Sequence, residues 1–169
     1  MKKYILPVLI ITFAFCISSC NKSNSTPAWY LKVKINGSWV EFNTALSNLT
    51  QDVLDPYTND LGLAGDNADR SESFFIIIRS DNQIPAGTYA SDDPQCFIDV
   101  DYHKRVNNDY VIYGRYSATG RPDSKYTVTI TSVTDEEIRG SFTGNYLTDP
   151  FNGDVQEVTE GEFVVPREL

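Results

Sequence analysis

Asp99, Asp101 and His103 stand at positions i, i+2 and i+4 of a stretch, Gln95 to His103, that alternates apolar and polar residues. On a β-strand this spacing puts the three side chains on one face. Two carboxylates and an imidazole there offer the oxygen and nitrogen donors of a Zn²⁺ or other divalent-ion site. Ligands two residues apart on a strand spread rather than converge, so such a site needs further donors from a loop. Without them the three are a solvated face opposite Cys96, Ile98 and Val100. A second acidic stretch, Asn48 to Glu72, carries Asp52, Asp55, Asp60, Asp66, Asp69 and Glu72 against a single Arg70. Oxygen-rich loops suit Ca²⁺, although the spacing does not follow the EF-hand register. A solvated loop around a short strand accounts for the same residues. Asp149-Pro150-Phe151-Asn152-Gly153-Asp154 has the composition of a hairpin turn rather than a site.

Aromatic residues are abundant: two Trp, ten Tyr and nine Phe. Sugar-binding surfaces stack exposed rings on pyranose faces, with Asp, Asn and Arg nearby as hydrogen-bond partners. Trp29, Trp39, Tyr110 and Tyr113 are the candidates for such a surface. Core and rim packing is the competing use of these rings in a small β protein.

Several chemistries are excluded. His103 is the only histidine, so one chain holds neither a two-histidine metal site nor an H-E-x-x-H protease motif. There is no G-x-S-x-G nucleophile elbow, no phosphate loop and no dinucleotide fingerprint. Paired carboxylates could serve glycoside hydrolysis, but nothing singles out a pair. The expectation is a non-catalytic protein without a cofactor. With 14 Lys+Arg against 23 Asp+Glu the net charge is −9, which argues against nucleic acid as a partner.

The chain begins MKKYILPVLIITFAFCISSC. Lys2 and Lys3 form a basic start, and Tyr4 to Ile17 is an apolar run short for a membrane span and suited to a secretory signal. The ending Ile17-Ser18-Ser19-Cys20 resembles the lipobox of bacterial lipoproteins. That resemblance implies cleavage before Cys20, diacylation of its thiol and acylation of the new amine, since several acyl chains anchor stably where one does not. A plain signal peptide or an N-terminal anchor is the alternative. Residues 1–19 are then the signal, 20–27 the lipidated cysteine and a polar tether, and 28–169 one domain. Cys16 leaves with the signal and Cys20 carries lipid, so Cys96 has no disulfide partner. Its phase with Ile98, Val100 and Tyr102 marks it as a buried thiol.

The periodicity of the remaining chain is that of strands. Leu31, Val33 and Ile35 alternate with lysines, and Asn36-Gly37 signals a type I′ hairpin into Ser38 to Asn43. The run Phe74 to Ile78 reads as a central strand covered on both faces. Further strands are expected at Leu61 to Ala64, Thr88 to Ala90, Gln95 to His103, Asp109 to Tyr116, Tyr126 to Thr131, from Ile138 through Phe142 to Tyr146, and Thr159 to Val165. Gly140 and Gly144 mark close approach or a bulge on that strand. Leu46, Leu49 and Val53 have helical spacing, limited by Pro56 to one short turn. Eight to ten strands result. The expected fold is all-β, an antiparallel two-layer β-sandwich, with a small lipocalin-like β-barrel as alternative because Gly37-Ser38-Trp39 is similar to the Gly-x-Trp element of lipocalins.

The order of features also resembles a group of small, functionally uncharacterised lipoproteins of Gram-negative envelopes. The matching pieces are Lys34-Ile35-Asn36-Gly37-Ser38-Trp39, Pro85-Ala86-Gly87-Thr88-Tyr89, Ile138-Arg139-Gly140-Ser141-Phe142-Thr143-Gly144 and Val158-Thr159-Glu160-Gly161-Glu162-Phe163. This resemblance implies an antiparallel β domain on a lipid anchor, in the outer membrane, and carries over no catalytic residue. The expected role is a binding or interaction module for a glycan or an envelope partner protein. A barrel carrying a small apolar ligand, and then a hydrolase, are the alternatives.

Overall fold

The computed structural model describes residues 29–50, 59–117 and 124–168, with the side chains of 46–50, 117 and 168 excepted. The signal segment, Cys20 and the tether lie outside the described residues, as do Asp52, Val53, Asp55 and Pro56. Among the described residues no helix is long and apolar enough to cross a membrane.

The chain is an all-β, antiparallel two-layer β-sandwich. Its strands are β1 (Tyr30–Ile35), β2 (Ser38–Phe42), β3 (Leu46–Thr50), β4 (Asn59–Asp66), β5 (Glu72–Ser80) and β6 (Gly87–Ala90), followed by β7 (Cys96–Val106), β8 (Asp109–Ser117), β9 (Thr127–Val133), β10 (Glu137–Thr143), β11 (Tyr146–Thr148) and β12 (Val155–Glu168). One layer, sheet A, runs β2-β1-β12-β10-β9-β6, and the other, sheet B, runs β3-β4-β5-β7-β8-β11. Strand β12 joins them. Its middle pairs with β1 and β10, its start (Val155 to Glu157) pairs with β11, and its end (Arg167 and Glu168) pairs in parallel with β3.

Alternation makes the core. Leu31, Val33 and Ile35 from β1 and Phe74, Ile76 and Ile78 from β5 all point inward and are buried. The layers meet through aromatic rings. Phe74 of sheet B stacks on Phe142 of sheet A with centroids 5.8 Å apart and sits 5.8 Å from Phe42. Tyr116 of sheet B lies 4.7 Å from Tyr126 at the start of β9. These rings fill the interior that a lipocalin-like barrel would leave open for a ligand.

The described residues form twelve strands rather than eight to ten, and the stretch from Ile138 to Tyr146 is divided between β10 and β11; two further expectations change. Leu46 to Thr50 is a strand, not a helical turn, because it extends across β4 from Leu46↔Ala64 to Thr50↔Asp60. Pairing gives an isolated five-residue stretch more hydrogen bonds than one helical turn does. The run Phe74 to Ile78 is a central strand between β4 and β7, as expected, but is not covered on both faces. Phe75 and Ile77 are half-buried on the outer face of sheet B, among ion pairs rather than beneath another layer.

Candidate functional site

Strand β7 does place Asp99, Asp101 and His103 on one face, but each carboxylate is already engaged. Arg79 of β5 donates to Asp99 at 2.7 Å and lies 3.6 Å from Asp60 of β4. Arg115 of β8, directly across from Asp101, donates to both of its oxygens at 2.7 and 2.8 Å. Burial raises the Asp101 carboxyl, yet the charge-assisted bonds from Arg115, together with the nearby His103 imidazole, outweigh it, and its pKa lies below the ordinary range. His103 packs its ring 5.0 Å from Phe75 and holds Nε2 3.8 Å from Asp101 Oδ2, beyond hydrogen-bond range. Asp99 and Asp101 thus belong to an ion-pair ladder across β4, β5, β7 and β8, with His103 beside it. Arg79 and Arg115 supply the positive charge that these carboxylates face.

The acids of the 48–72 stretch that are described are used one at a time. Asp66 accepts from Ser73 Oγ at 2.5 Å, Asp69 from the Ser71 N–H and hydroxyl, and Glu72 pairs with Lys104 at 3.5 Å. Among the described residues no group of three or more His, Cys, Asp or Glu could hold a metal ion. Asp149 is a turn residue: its Oδ1 accepts the N–H groups of Phe151 and Asn152, and Gly153 takes a φ of +81°.

The four aromatic candidates do not form one platform. Tyr113, on β8, is half-buried edge-on to Tyr102 beneath the Lys104 ammonium. Tyr110 gives its hydroxyl to the Arg70 carbonyl at 3.0 Å. Both lie on sheet B. Trp29 precedes β1 and packs partly buried against the core. Trp39 is the most exposed of the four at 54%, with Tyr110 at 45%. It pairs with Lys34 near the hairpin turn, about 17 Å along β1 from Trp29.

What surrounds Trp39 emerges only from the register. Two rows of side chains cross the outer face of sheet A. The first passes through Glu41, Lys32, Glu162, Ser141, Thr129 and Thr88, each opposite the next. The second passes through Trp39, Lys34, Glu160, Thr143 and Thr127 to Ala90. One half of the face is therefore charged, with Lys34–Glu160 at 2.8 Å and Lys32–Glu162 at 3.6 Å. The other half is hydroxyl, with the Thr88 and Thr129 hydroxyls 3.3 Å apart. At the charged end lies a shallow depression of about 360 Å³ lined by Lys32, Trp39, Val40, Glu41 and Glu162. Six strands at about 4.8 Å each make this face roughly 24 Å wide. The alternation of each strand was visible in the sequence. The rows were not, because they depend on which strands are neighbours and in what register.

A second depression, about 280 Å³, opens between the end of β5, β6 and the start of β7, with Asn82, Gln83, Asp93 and Gln95 on its walls and Cys96 among its lining. The Cys96 thiol is 8% exposed, and burial with the Asp93 charge pushes its pKa up to about 11. That is an inert structural thiol, as its phase on β7 implied. No protein-family model, curated protein or solved structure matches the chain.

Proposed function

We propose that this chain is a lipid-anchored protein of the cell envelope, held through Cys20 in the outer membrane, whose β-sandwich is a non-catalytic binding module for glycan. One observation carries the binding part: the outer face of sheet A, where the exposed Trp39 ring and its depression end two polar rows six strands wide. An exposed indole stacks on a sugar face, while flanking carboxylates, ammonium groups and hydroxyls exchange hydrogen bonds with sugar hydroxyls. The anchoring part is supported by the basic start, short apolar run and Ser18-Ser19-Cys20 ending of the chain.

The binding part is tested by thermal shift of the chain from Asn21 onward against a panel of envelope oligosaccharides. A ligand of the native state raises the melting temperature by mass action. The expected result is a shift with at least one glycan that disappears in Trp39→Ala; a shift unchanged in that variant, or none with any glycan, overturns it. The anchoring part is tested by labelled palmitate, expected to enter the wild-type chain and not Cys20→Ala.

A further inference from the structure

Strand β2 is the outermost strand of sheet A and, among the described residues, pairs with β1 alone. The two-residue turn Asn36-Gly37, with φ of +49° and +77°, determines which of its backbone groups are in use. In such a hairpin the residues flanking the turn exchange both hydrogen bonds, and bonded pairs then alternate along the strands. Ile35/Ser38, Val33/Val40 and Leu31/Phe42 are therefore the bonded pairs in the observed register. Trp39 and Glu41 direct their N–H and C=O groups outward, away from β1.

Natural edges are blunted by proline, lysine, bulges or inward charges. The opposite edge of sheet A, β6, is four residues long and follows Pro85. Strand β2 has none of these devices: it reads Ser-Trp-Val-Glu-Phe, and its register with β1 is unbroken. The Trp39 depression opens beside the same edge. Charge indicates what would pair there. Lys32 and Lys34 are taken up by Glu162 and Glu160, whereas Glu41 is exposed and makes no ion pair among the described residues. A second copy of the chain would bring only another Ser-Trp-Val-Glu-Phe edge, without a base to meet Glu41, and a net charge of −9 opposes self-association.

We infer that the open edge of β2 accepts an extended segment of a partner protein, a strand alternating basic and apolar residues, added antiparallel as a seventh strand of sheet A. Its basic side chains lie over Trp39 and opposite Glu41. Its apolar side chains continue the inner row of Val40 and Phe42. The segment shares Trp39 and Glu41 with the proposed glycan depression but draws its hydrogen bonds from the outward backbone of the edge, whereas a glycan uses the side chains of the face.

Strand β1 is itself such a segment, Tyr-Leu-Lys-Val-Lys-Ile, and already meets β2 on its other side. A capped, fluorescent peptide of that sequence is therefore the probe, titrated into the full chain in detergent micelles and followed by anisotropy. Saturable binding is expected, weakened about tenfold by Glu41→Pro, which removes an outward N–H and no hydrogen bond of the sheet. Glu41→Lys is expected to weaken binding as well, and a peptide with both lysines replaced by glutamate not to bind. Absence of saturable binding overturns the inference. So does equal affinity of folded Glu41→Pro, or of Glu41→Lys should the proline variant not fold, and so does equal binding of the glutamate peptide. A chain that sediments as a dimer, and becomes monomeric on Glu41→Pro, overturns the basic partner in favour of a second copy. Glycan is read by thermal shift on the wild-type chain without peptide, and peptide by anisotropy without glycan, so failure of one proposal is distinguishable from failure of the other.

Discussion

Among the described residues the Tyr126 hydroxyl is buried without a hydrogen-bond partner, while its ring lies against Tyr116 and over Gly144, where any Cβ would come within 2.2 Å of the ring. A polar group desolvated without compensation costs stability. Tyr126→Phe keeps the ring and removes the orphan, so it is expected to be neutral or to stabilise by about 1 kcal/mol. Tyr126→Ala, which empties the space, is expected to cost about 3–5 kcal/mol. Chemical denaturation of both variants checks the contrast; a Phe variant markedly less stable than wild type would show that the hydroxyl has a partner. Asp101 gives the pH counterpart. Its carboxyl is held below the ordinary value of about 3.9, so its stabilisation is complete above that value and is lost as pH falls through the lower folded value. Arg115→Ala is expected to cost about 1 kcal/mol at neutral pH, a screened figure because Arg115 is 45% exposed, and to make the acid limb of the stability profile shallower. Sequence spacing placed Asp99, Asp101 and His103 on one face. It could not place Arg115 opposite Asp101 or Arg79 diagonal to Asp99, because those arrive from β8 and β5, and cross-strand neighbours are a property of register.

Elements are fixed here by small features at their ends and crossings. Asn36 adopts a left-handed φ at the hairpin turn, and its side chain also reaches another strand: Nδ2 donates to Gln156 Oε1 at 2.8 Å and Oδ1 accepts the Glu157 N–H at 2.9 Å. The Asn-Gly pair signalled the turn in the sequence; its second role as a clasp onto β12 was not legible, since the partner lies 120 residues away. Asn36→Gly preserves the turn and removes both bonds, with an expected cost of about 1–2 kcal/mol measured by urea unfolding. An unchanged midpoint would reduce the residue to its backbone role. Strands β10 and β12 cross with two reciprocal pairs, Gly140 opposite Phe163 and Phe142 opposite Gly161. A Cβ on Gly161 would lie 2.1 Å from the Phe142 ring and 2.7 Å from the Lys32 carbonyl oxygen. Gly161→Ala is accordingly expected to destabilise by about 1–3 kcal/mol, although alanine suits a strand better than glycine by propensity. Gly140 was readable as a point of close approach, and β10 does shift register against β9 at Arg139/Gly140. The helical spacing of Leu46 and Leu49 misled because apolar residues three apart do not distinguish a turn from a strand whose partner, β4, is not adjacent in the pattern.

For the whole molecule, β12 decides how the layers depend on each other. It is an interior strand of sheet A between β1 and β10, and its two ends pair with the two outermost strands of sheet B, β11 and β3. Neither layer can lose its pairing without disturbing β12, so the two are expected to unfold together. The sequence supplied the strand Thr159 to Val165 but not this joint, because its start pairs with β11 only a few positions away and its end with β3 more than a hundred residues away. Each layer carries its own reporter. Trp29 and Trp39 lie in or beside sheet A, and Cys96, buried on β7 of sheet B, is the only cysteine of the chain from Asn21 onward. A thiol raised to about 11 is alkylated only after exposure. In urea, tryptophan fluorescence and Cys96 alkylation should therefore report coincident midpoints. Removing residues 165–169 deletes the fully buried Val165, its pairing with Ile138 and the parallel pairing with β3. The shortened chain is expected to be less stable and to expose Cys96 at lower urea than it loses its tryptophan signal, because sheet B has lost a bonded neighbour while β1 keeps its pairing with β2 and with the body of β12. Coincident midpoints in the shortened chain would show instead that the aromatic contacts across the interior, Phe74 on Phe42 and Phe142, couple the layers without the strand that joins them.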